Sequence, residues 1–319
     1  KKDINESLLL KHIKLILCNN DEAVFDYFIK ILAVKVQDPG RKANVTMLFR
    51  SVEGVGKDLF FDYFGNKIIG SKYYSNVEKA SLYFGRFNSV IEDKVICVVN
   101  EQSVMQNMDM TDNIKNAITC DNNTIEHKGQ KPYSNKNHIT YIFLANAKNP
   151  VTISPSDRRF CAVECCNTYA NDKDYIMPLI KELESGEYDR LFYDYLMKVD
   201  LSTVSFTTDR PETSFYKDLK EINIPVVARF LESFLMFDDS TKNVIDAPSN
   251  AMYNAFNEWK TSNGYTKVAH TSTRFGLDMK EYGGITKVRS GKGVKYVINK
   301  EELLNFLTKK KYIEELPNL

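Results

Sequence analysis

From Leu8 to Val36 apolar residues recur at helical spacing: Leu8, Leu9, Ile13 and Ile16, then Val24, Phe25, Phe28, Ile29 and Leu32. This pattern predicts two helices with Asn20-Asp21 as the cap between them, and Pro39-Gly40 closes the unit. The period then changes. Val45–Phe49, Lys94–Val99 and Ile139–Leu144 are short, nearly continuous apolar runs, which predict strands buried on both faces. A Gly-rich turn and an apolar helix over Leu59–Phe64 follow the first of them. Continuous strands alternating with helices predict an α/β fold, a parallel sheet covered on both sides.

Beyond about residue 200 the texture shifts. Leu201–Pro211 is rich in Ser and Thr and reads as a linker, and Pro225–Phe237 as an apolar helix. Residues 250–319 predict helix Asn250–Lys260, helix Ser272–Tyr282, a two-stranded ribbon (Ile285–Arg289 and Val294–Asn299) around Gly291-Lys292-Gly293, and helix Glu301–Lys310. Helix, helix, hairpin is the order of a winged helix.

Composition narrows the picture only a little. The 319 residues are 43% hydrophobic, enough for a sizeable core and one or two smaller units. Forty-three Lys and Arg stand against 42 Asp and Glu, so any positive surface has to be local. Two stretches qualify. His127–His138 holds Lys128, Lys131 and Lys136 with no acid, and residues 267–319 hold 11 Lys or Arg against 6 Asp or Glu. Six cysteines include no C-x-x-C pair; Cys161, Cys165 and Cys166 read as buried thiols of a reducing cytoplasm rather than a zinc site. No apolar run approaches the ~20 residues of a membrane span, and no signal peptide is evident, so a cytoplasmic location is expected. The chain opens Lys1-Lys2-Asp3 without an initiator Met and reads as a fragment of something longer.

Four groups of residues carry chemistry. Ser51-Val52-Glu53-Gly54-Val55-Gly56-Lys57-Asp58, between a strand and a helix, is placed as a phosphate-binding loop requires. Backbone N–H groups of Gly54, Val55, Gly56, Lys57, Asp58 and Leu59 would close on the phosphates of ATP, with Lys57 reaching the outer ones. Against G-x-x-x-x-G-K-[ST] there are two departures: Ser51 replaces the first Gly, and Asp58 the Mg²⁺-binding hydroxyl. The second strand delivers Asn100-Glu101 at its carboxyl end, where ligands of such sheets bind. A capping pair is the plainer reading. The third strand ends at Asn146, either a water-orienting group or a turn residue. Asp157-Arg158-Arg159 lies beyond; each Arg is a candidate finger on a neighbouring subunit's nucleotide, or a partner of Asp157 or Glu164.

In this order, at the ends of predicted strands, these groups resemble the superfamily 3 helicases, AAA+-like hexameric motors of small viruses, phages and plasmids. The run Lys115-Asn116-Ala117-Ile118-Thr119, then Ile125-Glu126-His127-Lys128-Gly129, then Asn146 and Asp157-Arg158-Arg159, resembles the helicase half of phage and viral primase-helicases. The resemblance covers residues 30–165 well and the C-terminus loosely. It implies a P-loop AAA+-like core and a hexameric ring around single-stranded DNA, with a primase or polymerase domain upstream in the parent chain. It implies catalytic roles for Glu101, Asn146, Arg158 and Arg159, and Mg²⁺ near Asp58, Asn100 and Glu101. It also implies a hairpin whose tip grips the strand, here His127–Pro132, with Lys115, His127, Lys128, Lys131 and Lys136 as DNA contacts. A solvated loop is the alternative for that tip.

The expected division is a helical unit 1–40, an ATPase core 41–200, a linker and helix 201–249, and a winged-helix-like domain 250–319. The last either binds duplex DNA through Thr273-Arg274 and Lys292 or docks protein. The leading reading is an ATP-driven single-strand translocase. The second is an initiation or primase-loading platform whose altered loop binds nucleotide without turnover. A small-molecule kinase leaves the lysines and the Arg pair without a purpose.

Overall fold

The computed structural model describes residues 2–100, 108–238, 240–266, 269–291 and 293–313. They form two units, residues 1–153 with 157–219, and residues 154–156 with 220–319.

The first unit is built on five parallel strands: β1 (Thr46–Arg50), β2 (Tyr74–Val77), β3 (Ile96–Asn100), β6 (Thr140–Ala145) and β7 (Phe160–Glu164), in the order β2-β3-β6-β1-β7. Between β3 and β6 the chain makes a separate antiparallel hairpin, β4 (Asn122–Ile125) and β5 (Tyr133–Lys136). The period-2 alternation of each strand sorts its side chains onto two faces. Met47, Phe49, Val98, Ile142 and Leu144 face one core. It is shared with α1 (Leu8–His12), α2 (Glu22–Gln37), α3 (Lys57–Tyr63), α6 (Lys173–Ser185) and α7 (Asp189–Met197). Leu48, Val99, Tyr141, Phe143 and Ala162 face the other, covered by α4 (Ser81–Phe84), α5 (Met108–Thr119) and the start of α8 (Ser214–Ile222).

Both faces are covered, as the continuous apolar runs predict, and the three predicted strands are present. Two more were not predicted. β2 and β7 are the sheet's edges; β2 is half-polar (Tyr-Ser-Asn-Val), and β7 is a five-residue run whose Cys and Ala give little signal. The N-terminal helices are not a unit apart: Leu9, Ile13, Phe28 and Leu32 lie in the same core as the sheet. Asp21 caps α2 by accepting from the Val24 N–H, as expected. The Ser/Thr-rich stretch after residue 200 is a strap rather than a linker. Leu201 and Phe206 are buried in that core, the Phe206 carbonyl accepts from the Tyr27 hydroxyl, and Arg41 donates to the Leu201 and Val204 carbonyls. Two apolar anchors in a polar stretch are enough to hold it down.

The second unit holds α9 (Val226–Phe237), α10 (Ser249–Ser262), α11 (Ser272–Asp278) and α12 (Lys300–Lys309) with a three-stranded antiparallel sheet. The ribbon β9 (Ile285–Ser290) and β10 (Gly293–Asn299) is as predicted; β8 (Val244–Pro248) adds a third strand against β10. Phe230, Phe256, Phe275, Ile298 and Leu303 form its core. Lys292 of the expected wing lies outside the described residues. Among the described residues no helix is long and apolar enough to cross a membrane.

Candidate nucleotide site

The register brings three strand ends together. Arg50 of β1 pairs with Ala145 of β6 and Glu164 of β7, while Asn100 of β3 pairs with Leu144 of β6. The turn after β1, the Asn100 side chain and Asn146 therefore share one edge of the sheet. Because β6 lies between β1 and β3, Asn146 stands between the other two groups.

Gly54 (φ 82) and Gly56 (φ 90) shape the turn; both sit in the left-handed region that side-chain-bearing residues avoid. A Cβ on Gly54 would lie 2.1 Å from Asn171 Oδ1, and one on Gly56 3.1 Å from His12 Cε1. Segments far along the chain fasten this turn. The Asn171 N–H donates to the Gly54 carbonyl (3.1 Å) and Asn167 Oδ1 accepts from the Val52 N–H (3.1 Å). His12, 1% exposed, reaches the Gly56 carbonyl through Nε2 (3.3 Å) and Tyr175 Oη through Nδ1 (3.1 Å). A carbonyl only accepts, so Nε2 carries the proton and Nδ1 accepts from Tyr175. Burial pushes His12 down to about 4, which keeps it neutral.

Lys57 opens α3 and is buried, 5% exposed. Its ammonium donates to Ser51 Oγ and to Asn146 Oδ1 (3.0 Å). Burial lowers its pKa and raises that of neighbouring Asp58, which accepts from Asn100 Nδ2. Among the expected site residues the structure thus gathers Gly54, Val55, Gly56, Lys57, Asp58, Asn100 and Asn146, with Leu59 following on α3. Glu101 lies outside the described residues. The arrangement offers positive charge, N–H groups and a helix start at one point, the requirements of a phosphate site.

The remaining expected residues divide. Arg159 Nη1 pairs with buried Asp157 (3.3 Å), whose Oδ1 also accepts from the Arg159 N–H (2.7 Å). That is the internal pair weighed above. Arg158 is exposed and makes no ion pair among the described residues. In the hairpin turn, Lys128, Lys131 and, on β5, Lys136 are exposed, and Gly129 (φ 83) has open space around it. His127 is held at the hairpin's root: Nε2 meets Glu92 Oε2 at 3.0 Å and the ring stacks on Tyr133. Lys115 is half-buried on α5. Ser51, His12, Asn167 and Asn171 were missed as site residues. In the sequence Ser51 reads only as a departure from the motif, and the others lie 40 residues or more from the turn with no local pattern to betray them.

A family of unknown function (DUF5906) matches residues 49–159, the span from β1 to the Arg pair. Over 200 residues the chain is 30% identical to the DNA primase-polymerase of Nitratiruptor phage NrS-1. This chain is homologous to that phage protein. The match takes in 62% of this chain but 27% of the relative, so the chain spans about a quarter of its length. Two apo structures of the NrS-1 C-terminal region share the fold, with TM-scores of 0.64 and 0.62 at 20% and 22% identity. Each covers 92% of this chain and 75% of the solved one. The expected kinship with phage primase-type replication proteins is therefore found.

Proposed function

We propose that this chain is the ATP-hydrolysing, single-strand-translocating module of a phage replication protein. The observation that carries the reading is the Lys57 ammonium, buried between Ser51 and Asn146 at the carboxyl ends of neighbouring parallel strands, with Asp58 and Asn100 beside it.

ATP binding gives the Lys57 ammonium phosphate oxygens in place of its present side-chain acceptors. Asn146 is then released to hold the attacking water by hydrogen bond. The N–H groups of the turn, fixed in place by His12 and Asn171, meet phosphate oxygens without rearranging, which is how preorganised donors stabilise developing charge. The donor set also suits Mg²⁺: a carboxylate and an amide whose oxygen is not used by the Asp58–Asn100 bond are hard oxygen ligands. Bound there, the ion would neutralise phosphate charge. Glu101, by the resemblance, polarises the water.

The ring belongs to the same reading. Arg158, unlike Arg159, is free to reach a neighbouring copy's nucleotide, and Lys128 and Lys131 at the hairpin turn would meet phosphates of a single strand in the channel without reading sequence. The second unit, read as a winged helix, offers Thr273 and Arg274, the latter paired with Asp278 at 2.9 Å. A primase or polymerase domain elsewhere in the parent chain follows from the relative's name, and host cytoplasm as its location from a phage origin. ATP hydrolysis, and its loss in Lys57→Ala, tests the core of this reading.

A further inference from the structure

At the root of the hairpin, between α4, α5 and β4, lies a groove of about 410 Å³, inside the range of ligand sites. Its lining is neutral and rich in amides. Asn113 and Asn116 come from α5, Asn122 and Asn123 from β4. The Asn113 amide nitrogen is engaged with the Phe84 carbonyl (3.2 Å), leaving its oxygen, and Asn123 Oδ1 accepts from Cys120 (3.5 Å), leaving its nitrogen. Among the described residues the side chains of Asn116 and Asn122 make no hydrogen bond. Below them lie Tyr83 and Tyr141, each 1% exposed. Their hydroxyls are buried beneath the groove's surface, that of Tyr83 beside Ser75 and Cys97 of the sheet and that of Tyr141 beside the Asn123 amide.

Amides with unspent donors and acceptors along one groove suit a polar, uncharged occupant. Its chemistry follows from the lining. Among the described lining residues the one cation, Arg86, is neutralised by Glu126 at 3.0 Å, which disfavours a phosphate. Amides offering both donors and acceptors suit the edge of a heterocycle, and Asn meets adenine with two bonds at once. Arg86 also lies over the ring of half-exposed Phe87 (5.3 Å), a flat platform of the sort on which bases stack.

We propose that this groove binds a nucleobase, supplied by the single strand that passes the hairpin. This rests on the strand path given under Proposed function. The lysines of the turn take the backbone while the amides below take a base. A motor of this design would feel bases as well as phosphates.

The test compares binding of an oligo-deoxyadenylate with that of an abasic oligonucleotide of the same length, without ATP, in the whole chain. The parent should prefer the base-bearing strand by about tenfold, as one good bidentate contact gives. Asn116→Ala with Asn122→Ala, both exposed and unbonded, should erase that preference and leave the salt dependence unchanged, since no phosphate contact is lost. Competition by free deoxyadenosine at matched concentration would keep the nucleobase site and assign it to soluble nucleosides. Equal binding of the two strands by the parent, or a preference untouched in the Asn variants, would overturn the proposal. ATP hydrolysis measured without DNA in the same proteins separates the two readings. Hydrolysis with no base preference sinks the groove alone; base preference with no hydrolysis sinks the motor alone.

Discussion

At the scale of single residues, the two departures from the phosphate-loop pattern each bond to another candidate site residue. Ser51 accepts from Lys57, and Asp58 accepts from Asn100. The usual arrangement places a hydroxyl on the loop and an Asp on the strand. Here a carboxylate stands on the loop and an amide on the strand, so on the proposed reading these two positions together bring the usual charge to Mg²⁺. Asp58→Ser and Asn100→Asp should each impair Mg²⁺-dependent hydrolysis. The double variant should recover, with a coupling of about 0.5–3 kcal/mol, as for residues in contact. Losses that simply add would leave Asp58 as a helix N-terminal charge. His12 makes a second expectation. Between pH 6.5 and about 4 the unfolded chain takes a proton that native His12 refuses, so stability falls as pH drops through that window. The slope from this group is about 1.4 kcal/mol per pH unit. Urea unfolding of the parent and His12→Phe at pH 7 and pH 5 should show the smaller loss in the variant. An equal loss would mean that His12 charges freely.

At the scale of elements, legibility in the sequence follows the bulk of the apolar run. β1, β3 and β6 are interior strands with bulky apolar residues on both faces, and their runs stand out; edge strand β2 is half-polar, and β7, though buried from Phe160 to Val163, carries small Cys161 and Ala162 at its middle. The strand ends are legible for the same reason, since a polar residue after an apolar run marks a carboxyl end: Asn100 and Asn146 are found that way, and Lys57 from the Gly-rich turn. What fastens the turn was not legible, because His12 and Asn171 act through distances in space that no local period records. The polar strap of residues 201–211 misled for the converse reason: composition was read, while the two apolar residues that anchor it were outweighed. In the hairpin, the spacing of lysines around Gly129 was readable and the tethering of His127 to Glu92 was not. Lys128→Ala with Lys131→Ala should therefore weaken single-stranded DNA binding and flatten its dependence on salt by about two counterions' worth. His127→Ala should act by loosening the hairpin. Identical salt slopes for the lysine variant and the parent would place the strand elsewhere.

At the scale of the whole molecule, one chain supplies a phosphate turn and an exposed arginine but no described partner for that arginine. On the proposed ring reading, that arginine completes a neighbouring copy's site. Arg158→Ala should lower hydrolysis by about 10³-fold, the smaller end for supplied arginines, without lowering the unfolding midpoint. Arg159→Ala should lower the midpoint, since it strips buried Asp157 of its charged partner and leaves it only the backbone N–H. Mixing Arg158→Ala with Lys57→Ala subunits should restore part of the activity, because some interfaces then join two intact halves. Full activity in Arg158→Ala alone would remove the arginine from the reaction.

The most direct measurement of the central claim is the ATP hydrolysis rate of the chain with and without single-stranded DNA, beside Lys57→Ala, with light scattering on the same samples. A motor gives hydrolysis that rises on adding the strand, in an assembly of several copies, and falls to background in Lys57→Ala. Nucleotide binding with no hydrolysis under any of these conditions, or hydrolysis that persists in Lys57→Ala, would contradict it.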